Sequence, residues 1–439
     1  MKWLFNIIYL TVLVLLIPWL VWRVTVQKKN RRGWSNKLWG KVPKFNDDNK
    51  RIWIHAVSVG EINLLSPLID ELKRQRPEYQ VVVSTTTESG FDLAKRKFPE
   101  LKVFFCPFDF SWAVERAFRR INPELFLLTE LELWPNLISA AKKQGAAVVL
   151  FNGRIGKKSY KGYRQFRRLL RPIFDQIDLA MVQTESYRQR LIKLGLPIDK
   201  VYTTGNIKFD CTASYEDYRG PEFFELASCH EQQVIFLAGS TQLNEDKILI
   251  KAYKEAKVTI PNLRMIMAPR HPERCAKLVS VLKKNRLPHV LRSELKPGMI
   301  DTGNPPILII DVIGELRAWW SIANIGYVGG SMGRRGGQNM IEPALLGVPA
   351  CFGPNTRNFK NVVNLLIRNK AARVVHNVDD LVAFLRFGSD NTMEFKAMGI
   401  RAQEIANSQQ GAAQRSVDIM ESAIMDPRNK GNLPAKMAA

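Results

Sequence analysis

The chain has 439 residues, which at about 100–200 residues per domain predicts two or three domains. Its 46% hydrophobic and 24% charged residues are typical of a globular protein and exclude a disordered or fibrous chain. Because 65 basic residues outnumber 41 acidic ones, the net charge is +24, and an anionic partner is expected: nucleic acid, a membrane surface or a substrate. The five cysteines are scattered without metal-binding spacing, which predicts reduced thiols in the cytosol and no metal site.

The N-terminus has the pattern of a membrane anchor. Trp3 to Val24 is almost wholly apolar, and about 20 apolar residues span a bilayer. A cleaved signal peptide is the alternative, but bulky Trp19 and a basic run stand where small residues would be needed for cleavage. Since only Lys2 precedes the segment and many basic residues follow it, the positive-inside rule predicts a single-pass anchor at 1–24 with the rest of the chain in the cytoplasm.

After a basic juxtamembrane connector at 25–50, β-branched runs alternate with helical spacing. One series covers 51–215 and a second covers 232–393, with a polar connector between them and C-terminal helices plus a tail at 394–439. Strands alternating with helices predict parallel, doubly wound sheets, hence an α/β protein with two facing Rossmann-like domains. Ligands are then expected in the cleft beyond the carboxyl ends of the strands. The chain lacks a GxGxxG after the first strand and a P-loop, which disfavours a nicotinamide enzyme and a P-loop NTPase.

Three motifs in the first series offer catalytic side chains. In HAVSVGE, Ser58 and Glu61 fit a helix capping box, which needs no catalysis, but a carboxylate at a strand-to-helix turn could also be a general base. TELELWPN places Glu130 and Glu132 after another strand, either for chemistry or because a helix N-terminus favours acids. In TGNIKFD, Lys208 could neutralise a developing phosphate charge or be a solvated lysine on a turn.

Two motifs in the second series suit a phosphate group. APRHPER places Arg270 between a strand and a helix opened by Pro272, where N–H groups and the helix dipole favour an anion. The glycine-rich segment from Gly329 to Ala344 could hold phosphate on free backbone N–H groups, and Glu342 could bind ribose hydroxyls. A tight loop that only turns the chain is the alternative for the glycine-rich segment.

A basic face without any acid extends from Lys142 to Arg171, and aromatic residues are interleaved with the cations. A nucleic-acid patch would have a similar composition. The predicted anchor favours anionic lipid instead, either headgroups or the phosphates of an acceptor. A plain solvated face is the third alternative. The cations on its C-terminal half are Lys157, Lys158, Lys161, Arg164, Arg167, Arg168 and Arg171.

These motifs in this order, through about Asn361, resemble the Kdo (3-deoxy-D-manno-octulosonic acid) transferase family of lipopolysaccharide synthesis. The resemblance also covers FNGRIGKKSY, LAGST and DVIGEL. It implies a GT-B fold and an inverting transfer of Kdo from CMP-Kdo to a lipid A precursor, lipid IVA, at the cytoplasmic face of the inner membrane. No metal, no other cofactor and no nucleic acid is expected. The alternatives are a GT-B transferase using a UDP-sugar on a lipid acceptor and a membrane-tethered nucleic-acid-binding protein.

The resemblance also implies residue roles. The base of the family corresponds to Glu61, while Lys208 and Glu132, with Glu130 as the alternative, are implied to assist the transition state. Gln338 stands where the family commonly has histidine, but both can donate a hydrogen bond, so CMP binding is still expected. The residues implied to hold CMP are Pro269, Arg270, Ile313, Gly314, Glu315, Gly336, Gly337, Gln338, Asn339 and Glu342.

Overall fold

The computed structural model describes residues 32–213, 220–300, 305–390 and 392–425, together with a few residues between 6 and 22. The chain divides into two compact units, which we call the N-domain and the C-domain. The N-domain comprises Met1–Cys211 and Gln410–Ala439, and the C-domain comprises Thr212–Gln409. Each contains its own parallel sheet, so the prediction of two α/β domains is confirmed. The facing arrangement of the domains stays a prediction.

The N-domain sheet has strand order β3-β2-β1-β4-β5-β6-β7. Its central strands β1 and β4 are buried along their whole length and are mainly apolar, as expected when helices cover both faces of a parallel sheet. The strands are β1 Arg51–His55, β2 Gln80–Thr85, β3 Lys102–Phe105, β4 Leu125–Thr129, β5 Ala147–Gly153, β6 Leu179–Val182 and β7 Val201–Thr203. The helices are α1 Trp34–Trp39, α2 Val59–Asn63, α3 Leu65–Gln75, α4 Glu88–Lys97, α5 Ser111–Ile121, α6 Pro135–Lys143, α7 Lys157–Gln165, α8 Arg167–Phe174, α9 Glu185–Leu194 and α10 Lys208–Ala213.

The C-domain sheet has strand order β10-β11-β9-β8-β12-β13-β14. Its strands are β8 Val234–Thr241, β9 Leu263–Pro269, β10 His289–Leu291, β11 Ile307–Ile309, β12 Ile325–Val328, β13 Ala350–Phe352 and β14 Ala372–Val374. Its helices are α11 Gly220–Leu226, α12 Leu243–Thr259, α13 Cys275–Lys284, α14 Leu316–Trp320, α15 Ile341–Leu345, α16 Lys360–Arg368, α17 Val378–Ser389 and α18 Met393–Ser408. Helix α19, Ala412–Met420, and the π-helix Glu421–Met425 return to the N-domain.

Both sheets have a topological switch point, where the winding direction reverses and a crevice opens beyond the strand ends. In the N-domain it lies between β1 and β4, because these neighbours are not consecutive in the chain. In the C-domain it lies between β8 and β12 for the same reason. HAVSVGE, TELELWPN and the glycine-rich segment start at the ends of β1, β4 and β12, and LAGST forms the C-terminal part of β8. The strand order therefore places these motifs in pairs, one pair in each domain.

The C-terminal helix α19 packs on α3 of the N-domain. Gln75 Nε2 donates to Asp418 Oδ1 at 2.9 Å, and Val417 and Met420 are buried in the same hydrophobic cluster as the β1 face of the sheet. Asp210, from the TGNIKFD motif, accepts the backbone N–H groups of Gly411 at 2.8 Å and Ala413 at 2.6 Å. Its carboxylate therefore caps α19, which is a structural role for one residue of that motif.

No helix among the described residues is long and apolar enough to cross a membrane. Most of the predicted anchor at 1–24 lies outside the described residues, and so does 25–31 of the predicted connector. One described residue of the anchor segment, Asn6, contacts the N-domain: its Nδ2 donates to Ser111 Oγ at 2.8 Å, and Asn136 Nδ2 donates to its Oδ1 at 3.2 Å. From Gly33 onward the connector packs on the domain, since Lys37 is buried beneath the Phe105 ring.

The boundary between the two units, at Cys211–Thr212, falls near the end of the first series (51–215), just before the stretch predicted as a polar connector. Part of that stretch is nevertheless helical, because Phe223 of α11 gives the helix an apolar anchor. The Phe223 ring is fully buried and meets the Trp319 ring edge-on at 4.7 Å between centroids. The sequence pattern did not predict this helix, because the residues around Phe223 are mainly polar and a single buried aromatic contact leaves no periodic signal.

Candidate active-site residues

Glu61 lies at the N-domain switch point, and its side chain is held by three neighbours. Ser58 is the N-cap of α2: its Oγ accepts the Glu61 N–H at 3.4 Å and donates to Glu61 Oε1 at 3.1 Å. The predicted cap is therefore present, but the full capping box is not, because the Glu61 side chain accepts the N–H of Val57 rather than that of Ser58. The Val57 N–H donates to Glu61 Oε2 at 2.8 Å. Thr129, the last residue of β4, places its Oγ1 2.5 Å from the same Oε2 and 2.9 Å from His55 O. The Glu61 carboxylate therefore takes part in the cap of α2 and also has the fixed orientation that a general base needs.

Glu130 follows directly in the TELELWPN loop and has a backbone φ of 55°. A left-handed conformation is unfavourable for glutamate and persists only where neighbouring structure imposes it, which is common at functional sites. The Glu130 N–H donates to Phe151 O at 2.9 Å, which holds the residue against the end of β5. Burial raises the pKa of Glu130, the charge of Glu61 raises it further, and Lys208 and Arg154 oppose the increase.

Glu132 belongs to the same acidic group. Burial raises its pKa, the charges of Glu61 and Glu130 add to the increase, and the hydrogen bond from Trp134 opposes it. Trp134 Nε1 donates to Glu132 Oε2 at 2.9 Å, and the Trp134 ring is partly exposed at 38%. Glu132 is therefore oriented by an indole, whereas Glu130 interacts with two cations.

Lys208 completes the cluster, and burial lowers its pKa while Glu130 opposes the decrease and Arg154 adds to it. The structure thus brings together the three N-domain residues assigned from the sequence, Glu61, Glu132 and Lys208, with Glu130 among them. Arg154 was missed, although FNGRIGKKSY was part of the resemblance. The available signal was its position just after β5, at the same sheet edge as the TELELWPN loop.

The C-domain brings two of the residues implied to hold CMP, Arg270 and Glu342, close enough to interact. Glu342 lies in the first turn of α15, and Asn339 Nδ2 donates to its Oε1 at 2.9 Å. Burial raises the pKa of Glu342, while Asn339, Arg317 and Arg270 oppose the increase. Arg270 is exposed, and its N–H donates to Thr241 O at 3.1 Å. The carboxylate and two arginines are therefore neighbours on one side of this sheet.

The second half of the glycine-rich segment rests on the first half. The N–H of Gly337 donates to Gly330 O at 2.8 Å, and the N–H of Gln338 donates to Gly329 O at 3.0 Å. Gly336 has a φ of 93°, and a Cβ there would lie 2.5 Å from the Arg357 side chain. Glycine is therefore required at this position both for backbone conformation and for space.

The first glycine turn differs from the expectation of free N–H groups. The N–H groups of Gly330, Ser331 and Met332 all donate to the carboxylate of Glu245, at 2.8–3.0 Å. They are thus already paired with an anion from the protein itself. The expectation that this turn holds phosphate is wrong for these three groups, because a buried side chain occupies the position that a phosphate would take.

In the DVIGEL segment the backbone around Ile313 is exposed, whereas the Glu315 carboxylate is engaged in an ion pair. Ile313 is 86% exposed, and Gly314 has a φ of 98°. Glu315 forms a two-pronged ion pair with Arg292, at 2.8 and 2.9 Å, so its carboxylate is already neutralised. Pro269 is the last residue of β9 and directly precedes Arg270. Among the described residues, no group of three or more His, Cys, Asp or Glu side chains could hold a metal ion.

Two parallel α/β domains, one with a held carboxylate near a partly buried lysine and one with a glycine-rich loop and arginines, fit the class expected from the sequence, a two-domain glycosyltransferase. Residues 28–211 match the family profile described as 3-deoxy-D-manno-octulosonic-acid transferase (kdotransferase). The 3-deoxy-D-manno-octulosonic acid transferase of Haemophilus influenzae is 30% identical over 84% of this chain and 86% of its own length. The chain belongs to the 3-deoxy-D-manno-octulosonic-acid transferase family.

Two further similarities extend the comparison. A bifunctional glycosyltransferase/methyltransferase of Fusobacterium nucleatum is 32% identical over 77% of this chain, and the chain spans only 53% of that protein's length. The solved structure of UDP-GlcNAc 2-epimerase from Neisseria meningitidis bound to UDP-GlcNAc aligns with a TM-score of 0.58 at 14% identity. It covers 84% of this chain and 99% of the epimerase, and it shows the two-domain fold alone.

Proposed function

We propose that this transferase moves Kdo from CMP-Kdo to a hydroxyl of a lipid A precursor, with inversion at the anomeric carbon. Family membership supports the group transferred, and the observation that carries the mechanism is the fixed orientation of Glu61 by Val57 and Thr129. A general base must be oriented toward the proton that it removes, and such catalysis contributes about 10²–10⁴ in rate. Glu61 takes the proton of the acceptor hydroxyl while the hydroxyl oxygen attacks the anomeric carbon of Kdo. CMP leaves from the opposite side of that carbon.

We further propose that Glu130 and Lys208 act as a pair, with Glu132 as the neighbouring acid that keeps the site negative near Glu61. The mutual effect of Glu130 and Lys208 on each other's pKa supports this pairing. A partly buried lysine beside a carboxylate is a preorganised cation for the charge that develops on the leaving group or on the Kdo carboxylate. Arg154 adds a second cation at the same position.

The C-domain residues are proposed to bind the nucleotide. Arg270 supplies a cation for the CMP phosphate, and Glu342, fixed by Asn339, accepts ribose hydroxyls. The exposed Ile313–Gly314 backbone offers amide groups for the base, since the Glu315 carboxylate is taken by Arg292. In this proposal cationic side chains neutralise the phosphate, so transfer proceeds in the presence of a chelator such as EDTA.

The basic face supports an anionic lipid partner. Helix α7 has no buried residue, and at the junction of α7 and α8 Phe166 is 60% exposed and Leu169 is 49% exposed. Apolar side chains among cations are typical of a surface that rests on anionic lipid. Tyr163 of α7 is close enough to Glu132 for that charge to raise the pKa of the tyrosine. The same face therefore adjoins the acidic cluster, where a lipid-linked acceptor must arrive. We propose the inner membrane as its location.

One incubation tests the function directly. The purified full chain in detergent is mixed with CMP-Kdo and tetraacyl lipid A precursor, and the products are measured by mass spectrometry. We expect a product heavier by one or more Kdo units, and unaltered acceptor would refute the proposal. A thermal-shift panel separates the alternatives: CMP should stabilise the protein and UDP should not. Tight DNA binding with a steep salt dependence and no transfer would favour the nucleic-acid-binding alternative.

A further inference from the structure

Among the described residues, Glu245 accepts more hydrogen bonds than any other carboxylate outside the proposed catalytic cluster. It lies in the first turn of α12, is only 1% exposed, and accepts five hydrogen bonds from described residues. Three come from the glycine turn described above. The other two come from the Gln242 N–H at 2.8 Å, which completes a capping box, and from Tyr327 Oη at 2.9 Å. A simple helix cap needs only the first of these two bonds.

The bonds of Glu245 connect to the segment proposed to bind the nucleotide. The turn that it holds provides the two carbonyls, of Gly329 and Gly330, that accept from Gln338 and Gly337. A Cβ at Gly329 would lie 2.4 Å from Ser240 O, so the turn is also pressed against the end of β8. Glu245 therefore holds the first glycine turn, and that turn in turn holds the loop that leads to α15.

The neighbouring carboxylate supports the other nucleotide segment. Asp246 is 1% exposed and pairs with Arg274 Nη2 at 2.5 Å, while Arg274 Nη1 donates to Thr241 O at 2.6 Å. The N–H of Arg270 donates to the same Thr241 oxygen. Two consecutive acids at the start of α12 thus restrain two different loops. Glu245 restrains the loop after β12, and Asp246, through Arg274, restrains the loop after β9. The loop after β9 carries Arg270, and the loop after β12 leads to Glu342 in the first turn of α15.

We propose that Glu245 is a positioning residue for donor binding: its carboxylate fills the backbone nest of the glycine turn and thereby sets the nucleotide loop in its binding conformation. A nest of consecutive N–H groups binds anions, and here the anion is built into the protein. The CMP phosphate is consequently held elsewhere, by Arg270 and the second half of the glycine-rich segment. This inference rests on the proposed function, because it takes CMP as the nucleotide.

The test compares Glu245→Gln with Glu255→Gln, an exposed glutamate on the same helix. Both oxygens of the Glu245 carboxylate accept hydrogen bonds. A glutamine at 245 has only one acceptor oxygen, so its NH₂ group would face N–H groups that are also donors, and those hydrogen bonds would be lost. We expect the 245 variant to raise the CMP Kd and the CMP-Kdo KM about tenfold to a hundredfold, since small misplacements have effects of this size. The KM for the lipid acceptor, and kcat at saturating donor, should stay within about twofold. Glu255→Gln should match wild type.

Two further measurements keep the outcome decisive. Hydrogen exchange should show faster exchange of the peptide amides at 329–332 in the 245 variant, whether or not any nucleotide binds. If that variant fails to fold, Tyr327→Phe decides, because it removes one donor and leaves the N–H bonds intact; it should raise the donor KM two- to threefold. Unchanged donor KM in the folded variant overturns the inference, and so does an equal rise in the acceptor KM. Absence of CMP binding to wild type would instead refute the proposed function.

Discussion

Replacing Glu61 with glutamine separates the chemical role of this residue from its structural one. The structure predicts a small change in stability, because glutamine is nearly isosteric and can keep the contacts. Its oxygen can accept from the Val57 N–H and the Thr129 hydroxyl, and its NH₂ group can donate to Ser58 Oγ. Two bonds lose charge assistance, which costs about 1 kcal/mol or less, and the lost repulsion with the neighbouring glutamates offsets part of that cost.

The catalytic effect of Glu61→Gln should be much larger than its effect on stability. An amide cannot accept the acceptor proton, so kcat should fall about 10²–10⁴-fold, equivalent to about 3–5 kcal/mol in the activation barrier. Transfer is measured with CMP-Kdo and lipid A precursor, stability by thermal unfolding, and CMP affinity by calorimetry. CMP affinity should stay within about twofold, because the nucleotide residues belong to the C-domain.

A matched control is Glu185→Gln, an exposed first-turn glutamate of α9 outside the acidic cluster. It should leave both transfer and CMP binding unchanged. If Glu61→Gln keeps more than about a tenth of the wild-type kcat, Glu61 is not the base. If it loses activity together with several kcal/mol of stability, the carboxylate is a structural cap and the proposed chemistry must be assigned to another group.

Three other perturbations follow from the structure. Burial and the charge of Glu61 raise the pKa of Glu132 in the folded state above its ordinary 4.5, so ionisation of Glu132 destabilises the fold as pH rises. Glu132→Gln should therefore be up to about 1 kcal/mol more stable than wild type near pH 8. The gain should vanish below pH 4.5, which thermal unfolding at several pH values measures. Gly329→Ala should destabilise the protein by about 1–3 kcal/mol in denaturant unfolding, since its Cβ would overlap the Ser240 carbonyl. Reversing Arg168 and Arg171 to glutamate should weaken binding to anionic vesicles about tenfold or more, measured by co-sedimentation.

Each of these predictions has a control and a contradicting outcome. For the pH dependence, a variant no more stable than wild type at pH 8 would show that Glu132 ionises without cost. Gly333→Ala is the control for the glycine turn, because a Cβ there meets nothing within 4 Å, and equal effects at both positions would contradict the packing argument. For the basic face, reversing the exposed Lys283 and Lys284 of α13 is the control, and equal losses would indicate a general effect of net charge.

The order and type of most elements could be predicted from the sequence because they depend on local patterns. The apolar strand Leu125–Thr129 and the helix that begins at Pro135 are examples, since a continuous apolar run and a proline in the first turn are visible in the chain itself. Short edge strands such as Val201–Thr203 were not predicted, because three residues carry too little periodicity.

The candidate residues were found as separate motifs, and the sequence by itself determined their chemistry: acids after strands, a lysine before a connector, and glycines before a glutamate. Only the tertiary structure decided their partners. The adjacency of β1 and β4 places Thr129 against Glu61, although 68 residues separate them, and Glu245 reaches Ser331 across 86 residues. Such contacts depend on strand order, and strand order results from the packing of the whole sheet rather than from any local pattern. For this reason the glycine turn was predicted as an open anion site, while the folded chain fills it with its own carboxylate.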